Sequence, residues 1–79
     1  MNLERFDDAI TLAGLLAEAG VQRIEYRTPG GEGGQRACAA RVTDLPGLLA
    51  GAPVGTELHW PGGGARVDET RIRWWGVGK

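Results

Sequence analysis

Cysteine and histidine are the side chains in this sequence best suited to act as nucleophile, general base or metal ligand. The 79-residue chain contains one of each, Cys38 and His59, and it contains no serine. One cysteine and one histidine cannot make a four-ligand zinc site, and a single cysteine cannot form a disulfide within the chain. Without serine, the serine nucleophile of hydrolases is excluded. We therefore predict no metal, no cofactor, no catalytic residue and no enzymatic activity.

A thiolate pair between Cys38 and His59 is the remaining catalytic hypothesis. Alternation along the chain places Cys38 on the face of a strand that also carries Ala40 and Val42. His59 falls on the polar face of a different strand, so the two side chains are predicted to point to opposite sides of the sheet. Free cysteine is among the most buried residue types. We therefore expect Cys38 to be a buried structural residue and His59 to lie at the surface.

Adjacent carboxylates at Asp7 and Asp8 and three glycine-rich segments are the other features that chemistry could use. We interpret the carboxylates as a solvated pair near the start of a helix, where the helix dipole favours negative charge. The glycine-rich segments are residues 29–34, 61–64 and 76–79. They lack the strand-to-helix context and the Gly-Lys-Ser or Gly-Lys-Thr ending of a phosphate loop. We interpret all three as turns.

Arginine and tryptophan alternate with apolar residues in the predicted strands, and this pattern indicates a binding surface. In the last strand, Arg71, Arg73 and Trp75 alternate with Ile72 and Trp74. Successive strand side chains point to opposite faces, so the inner pair is expected in the core and the other three at the surface. Arginine and tryptophan are enriched at binding hot spots. The predicted partner-binding residues are Arg23, Arg27, Arg41, His59, Arg71, Arg73 and Trp75.

Two alternatives to this surface stay open at the level of sequence. Glu25 and Glu57 fall on the same predicted face, so the arginines could be neutralised as cross-strand pairs on a merely solvated surface. A register shift of one residue would also exchange the roles of Trp74 and Trp75, because it moves every side chain to the other face.

The helices and strands that carry these residues are predicted from the apolar periodicity. A three- and four-residue spacing predicts a helix over about residues 3–19 that ends at Gly20. Segments of period two near residues 21–27, 37–42, 54–60, 65–67 and 70–77 predict strands. A short helix is predicted after Asp44, with Pro46 in its first turn and Gly51 after its end. The predicted apolar stripe of the long helix is Leu3, Phe6, Ile10, Ala13, Leu16 and Ala17, widened by Leu12 and Leu15.

This order of elements predicts an α+β fold, a small single domain over residues 1–79. Its architecture is an antiparallel sheet of four or five strands with a long N-terminal helix packed on one face and a short second helix. A composition of 42% hydrophobic and 24% charged residues is typical of globular proteins. The core of so short a chain is small, so a homo-oligomer or a partner is an expected source of added stability. The strand residues expected under the helix are Ile24, Tyr26, Val42, Leu58, Ile72 and Trp74.

Composition and charge also bear on location and partners. No run approaches the roughly 20 apolar residues that span a bilayer, and the acidic N-terminal segment differs from a secretory signal. We therefore expect a cytoplasmic protein without a membrane partner. The excess of arginine over lysine and the 14 glycines suggest GC-rich coding DNA and a bacterial or phage source. A net charge of −1 argues against duplex nucleic acid as the main partner.

Two functional hypotheses use the predicted surface. The first is a small non-enzymatic protein-binding module, an inhibitor or adaptor that docks on another protein. Phage- or mobile-element-encoded inhibitors of bacterial defence systems, of the anti-CRISPR kind, fit this profile, with a nuclease or nucleoprotein complex as partner. The alternative is a single-stranded nucleic-acid-binding domain in which Trp75 or Trp60 stacks on bases and arginines contact phosphates. Phosphate-driven binding weakens steeply with salt, which separates the two.

Overall fold

A computed structural model describes residues 3–29 and 37–77 of the chain. Its five strands form one antiparallel sheet with the order β2-β1-β3-β4-β5. The predicted α+β class, the antiparallel sheet and both helices are confirmed. The elements in chain order are α1 (Leu3–Glu18), β1 (Arg23–Arg27), β2 (Ala37–Arg41), a 3-10 turn (Val42–Asp44), α2 (Leu45–Ala50), β3 (Glu57–Trp60), β4 (Gly63–Val67) and β5 (Ile72–Trp75).

The core lies between the two helices and one face of the sheet, which we call the inner face. Leucines from both helices and from β3 have no exposed surface. Of the strand residues predicted for the core, four are buried, whereas Tyr26 and Trp74 are partly buried and pack against it. Trp74 keeps some exposure because β5 is an edge strand. The fully buried leucines are Leu12, Leu16, Leu45, Leu49 and Leu58.

The end of α1 follows from a glycine in the left-handed conformation. Gly20 has φ of +82°, which side chains with a Cβ rarely adopt. Its N–H donates to the carbonyl of Ala17 (3.1 Å), and the N–H of Val21 donates to that of Leu16 (2.9 Å). These two bonds are the Schellman motif, and they turn the chain into β1 as the sequence predicts.

The predicted apolar stripe of α1 is confirmed at Leu12 and Leu16, which are fully buried, and was wrong in its N-terminal half. Leu3 and Ile10 are 69% and 48% exposed. Two polar side chains lie on the buried face instead: Arg5 donates to the carbonyl of Ala52, and Asp8 contacts β5. Each of them has a partner far away in the sequence. The buried face of α1 therefore includes polar residues and could not be predicted from hydropathy alone. The buried residues of α1 are Arg5, Asp8, Ala9, Leu12 and Leu16.

The second helix begins at Leu45, directly after Asp44 as predicted, and a 3-10 turn precedes it. Val42 starts a 3-10 turn instead of continuing β2, and Asp44 already has helical backbone angles (φ −91°, ψ −6°). Asp44 therefore stands at the N-cap position without making a side-chain capping bond. Pro46 in the first turn and Gly51 after the last residue are confirmed. Within residues 3–29 and 37–77, no helix has the length and apolar character needed to cross a membrane.

Candidate binding surface on the outer sheet face

The face of the sheet turned away from α1, the outer face, carries two rows of aligned side chains. The strand register sets both rows, since residues directly opposite one another lie about 5 Å apart on the same face. The first, the tryptophan row, consists of Ala39, Glu25, His59, Gly64 and Trp75. The second, the arginine row, consists of Arg27, Glu57, Arg66 and Arg73.

Trp75 is an exposed aromatic side chain that rests on a glycine of the neighbouring strand. It is 53% exposed, while Gly64 beneath it is buried. A Cβ on Gly64 would lie 2.8 Å from Cζ2 and 3.2 Å from Cε2 of Trp75, so the indole occupies the space of the missing side chain. The predicted register is confirmed, with Trp74 inward and Trp75 outward. Trp60, the other predicted stacking residue, is buried on the inner face.

Both glutamates of the outer face are paired along their own strands. Glu25 Oε1 accepts from Arg27 Nε at 2.9 Å, and Glu57 Oε1 lies 3.2 Å from His59 Nε2. These side chains are between 36% and 42% exposed, so water screens the pairs and each contributes no more than about 1 kcal/mol. The face is therefore partly self-paired, through neighbours two residues apart instead of across the strands.

Positive charge remains in excess on the outer face. Among the described residues of this face, five arginines stand against Glu25, Glu57 and the Asp68 carboxylate beside Arg73, which leaves a formal charge of +2 on one face of a chain whose net charge is −1. Arg73 at the edge also pairs with Asp68 (2.8 Å) while staying 81% exposed. On the opposite side of the molecule α1 presents exposed carboxylates at Glu4, Asp7 and Glu18. The five arginines are Arg23, Arg27, Arg41, Arg66 and Arg73.

Arg71 lies outside both rows, and its predicted place on the outer face is corrected. It precedes β5, where strand alternation no longer applies, and its guanidinium reaches α1. Arg71 Nε and Nη2 donate to the Asp8 carboxylate at 2.7 and 3.1 Å, and the Ile72 N–H donates to the same carboxylate at 2.9 Å. The hydrogen bond from Arg71 is the main cause that lowers the pKa of Asp8 below its usual value, and the same pairing raises the pKa of Arg71.

The interpretation of Asp7 and Asp8 as a solvated pair is wrong for Asp8. Asp7 is exposed, but Asp8 is only 8% exposed and joins α1 to the edge strand β5. The sequence alone could not distinguish the buried Asp8 from the exposed Asp7, because both are acidic and occupy the same turn of the helix.

Cys38 and His59 lie on opposite faces of the sheet, as predicted. Cys38 pairs with Tyr26 on the inner side of β2, whereas His59 stands in the tryptophan row. The predicted burial of Cys38 was wrong, since its side chain is exposed. The reason is the position of β2 at the edge of the sheet, whereas α1 packs on α2, the 3-10 turn and β5.

Two residues of the surface escaped sequence reasoning. Arg66 stands between Ala65 and Val67, both fully buried, so completing the alternation through this strand would have placed it on the outer face. Gly64 was assigned to a turn with the rest of residues 61–64, but β4 begins at Gly63. Its role as the seat of Trp75 depends on the pairing of β4 with β5, which the sequence does not contain.

Comparison with known proteins adds no relative: no protein-family model, curated protein or solved structure matches this chain. Among residues 3–29 and 37–77, no group of three or more His, Cys, Asp and Glu side chains could hold a metal ion. Function is therefore inferred from the geometry of the outer face.

Proposed function

We propose that this chain is a small non-enzymatic protein-binding module, an inhibitor or adaptor whose outer sheet face docks on an acidic surface of another protein. The observation that carries this proposal is Trp75, an exposed indole held against Gly64 on a face with excess positive charge. A nuclease or nucleoprotein complex of a bacterial defence system is the kind of partner that we expect.

The exposed part of Trp75 is large enough to anchor a complex. A tryptophan side chain has about 250 Å² of surface, so 53% exposure leaves about 130 Å² for a partner to cover. At about 25 cal/mol per Å², covering it contributes about 3 kcal/mol. Because the indole already rests on Gly64, little rotamer entropy is lost on binding. Tryptophans in this situation are frequent binding hot spots.

The charge distribution favours an acidic partner and sets the orientation of approach. The outer face carries the arginines, whereas exposed carboxylates lie on α1. An acidic surface is attracted to the first side and repelled by the second, which raises the association rate more than the final affinity. Arg66 and Arg73 are the exposed cations on the strands nearest Trp75, so they are expected to contact carboxylates of the partner.

A protein partner is favoured over single-stranded nucleic acid by the two glutamates. Glu57 stands between Arg27 and Arg66 in the arginine row, where it would repel a phosphate backbone that followed that row. Glu25 would do the same in the tryptophan row, where it stands between Ala39 and His59. A protein surface can meet such a mixed pattern with charges of both signs. The test is titration with a labelled oligonucleotide at two salt concentrations, because a phosphate-driven complex loses affinity steeply as salt rises.

The proposal is tested by identifying a partner and measuring how its affinity depends on the outer face. A tagged chain captures candidates from a bacterial lysate, and each candidate is then purified and titrated by calorimetry. Arg66→Gln is the test variant. Thr11→Glu on α1 is its control, because Thr11 is exposed and the net charge changes by the same amount. We expect Arg66→Gln to weaken the complex several-fold and Thr11→Glu to leave it unchanged. Equal effects of the two variants would contradict docking through this face.

A further inference from the structure

Arg23 and Arg41 form a second basic site, at the end of the β1–β2 pair. They are directly opposite each other on neighbouring antiparallel strands. The N–H of Val42 donates to the carbonyl of Gln22 at 3.0 Å, so residues 22 and 42 are a hydrogen-bonded pair. By the alternation of antiparallel ladders, Arg23 and Arg41 are a non-hydrogen-bonded pair, the kind whose side chains lie closest.

Within the described part of the chain, neither arginine has an ion-pair partner. Glu25, the carboxylate two residues along β1, is already bound to Arg27. Like charges directly opposite each other destabilise a sheet. We therefore expect the pair to cost stability in the free protein and an anion between the two guanidinium groups to relieve that cost.

The two arginines line one groove, where α1 turns into β1 and β2 turns into the 3-10 turn. The groove has a volume of about 530 Å³, and none of the described residues that line it is acidic. Its other polar side chains, Gln22 and Thr43, are neutral hydrogen-bonding groups. The carbonyls of Leu16 and Ala17, at the negative end of the α1 dipole, already accept hydrogen bonds from Val21 and Gly20. The negative end of that dipole disfavours an anion, so binding in this groove depends on the positive charges of Arg23 and Arg41.

We propose that this groove binds a dianionic phosphate group, either free or as the monoester of a small molecule, between Arg23 and Arg41. Two guanidinium groups match the two charges of such a phosphate and offer paired N–H donors to its oxygens. A single carboxylate would neutralise only one of them. A volume of about 530 Å³ falls in the range of small-ligand sites and leaves room for an organic group beside the phosphate.

This site lies at a distance from Trp75, although Arg23 and Arg41 also contribute to the positive charge of the outer face. In the strand order, Arg41 on β2 lies four strand spacings from Trp75 on β5, roughly 19 Å, and Arg23 on β1 lies three spacings from it, roughly 14 Å. Phosphate binding at Arg41 and protein docking at Trp75 can therefore succeed or fail independently.

The experiment measures phosphate binding and thermal stability in matched arginine variants. Inorganic phosphate, glycerol phosphate and adenosine monophosphate are titrated at about pH 7.5, where phosphate is mostly dianionic. Sodium chloride and sodium acetate serve as controls at equal ionic strength. We expect the phosphates to raise the melting temperature and to shift the amide NMR signals of residues 21–23 and 41–43. Tighter binding of a monoester assigns a small-molecule ligand, and equal binding of inorganic phosphate assigns the free anion.

The variants separate a binding role from a structural one. Arg23→Gln and Arg41→Gln should each lower phosphate affinity by about tenfold or more, and Arg41→Lys should lower it less. Without ligand, Arg41→Gln should melt at the same temperature as the wild type or higher, because the repulsion is gone. Arg66→Gln on β4 is the control, and it should bind phosphate normally. A phosphate response that survives loss of both Arg23 and Arg41, or an equal response to acetate, would overturn the proposal.

Discussion

Replacement of Asp8 by alanine is expected to loosen the attachment of α1 to the edge of the sheet. The Asp8 carboxylate accepts two hydrogen bonds from Arg71 and one from the backbone N–H of Ile72. Asp8→Ala removes all three acceptor contacts at once. Arg71 is well exposed and can be hydrated again, but the Ile72 N–H bond is buried and loses its acceptor.

The magnitude follows from the buried donor. A buried N–H left without a partner costs about 1–3 kcal/mol, and the lost charge-assisted bonds to an exposed guanidinium add little because water screens them. We therefore expect Asp8→Ala to lower the free energy of unfolding by about 2 kcal/mol. For a domain of this size, that corresponds to a fall in melting temperature of about 8–16 °C. Asp8→Asn keeps an acceptor for Ile72, so it should cost less.

Urea denaturation followed by tryptophan fluorescence measures this loss, and Asp7→Ala is the matched control. Asp7 is the exposed neighbour in the same helix, and its replacement changes the net charge equally. The same measurement at acidic pH gives a second readout. Because the pKa of Asp8 is lowered in the folded state, its contribution is present above the usual pKa near 4 and disappears as pH falls through the lower folded value. The difference in the free energy of unfolding between wild type and Asp8→Ala should therefore become smaller in acid. Equal stability of Asp7→Ala and Asp8→Ala at neutral pH would contradict a stabilising contact between Asp8 and β5.

Three further outcomes are expected. Leu12→Ala should cost about 2–5 kcal/mol in urea melts, since Leu12 has no exposed surface, and a loss below 1 kcal/mol would place it outside the core. Gly64→Ala should destabilise the fold and change the emission of Trp75, because the new Cβ would lie 2.8 Å from both the Leu58 carbonyl oxygen and the indole. Gly14→Ala, with open space in α1, should instead stabilise by up to about 1 kcal/mol. Cys38 should react with an aromatic disulfide reagent in the folded protein without denaturant, and slow labelling would mean that it is covered.

The elements of this fold could be predicted from sequence because their signals are local. Three features depend only on neighbouring residues and on the alternation of side chains along a strand. They are the end of α1 at Gly20, the first turn of α2 with Pro46, and the inward and outward orientations of Trp74 and Trp75. Local chemistry is sufficient to predict these three features. The left-handed angle of a glycine and the alternation of a strand do not require knowledge of what lies across the molecule.

The features that sequence reasoning missed depend on contacts between distant segments. Asp8 and Arg71 are 63 residues apart, so neither could be recognised as half of a pair. Cys38 is exposed because β2 is an edge strand, and strand order is a property of the whole sheet. Gly64 supports Trp75 only in the observed register of β4 and β5. The composition of the outer face was therefore largely predictable, whereas its arrangement was not.

The affinity of a purified partner for wild-type, Trp75→Ala and Ile10→Ala chains tests the proposed docking surface most directly. The two variants remove exposed apolar side chains of similar exposure, 53% and 48%, from the outer face and from α1. If the partner covers the outer face, Trp75→Ala should weaken binding by about 2–3 kcal/mol, roughly 30- to 150-fold, and Ile10→Ala should have no effect. Unchanged affinity of Trp75→Ala, or an equal loss in Ile10→Ala, would contradict a protein-binding function centred on the outer face.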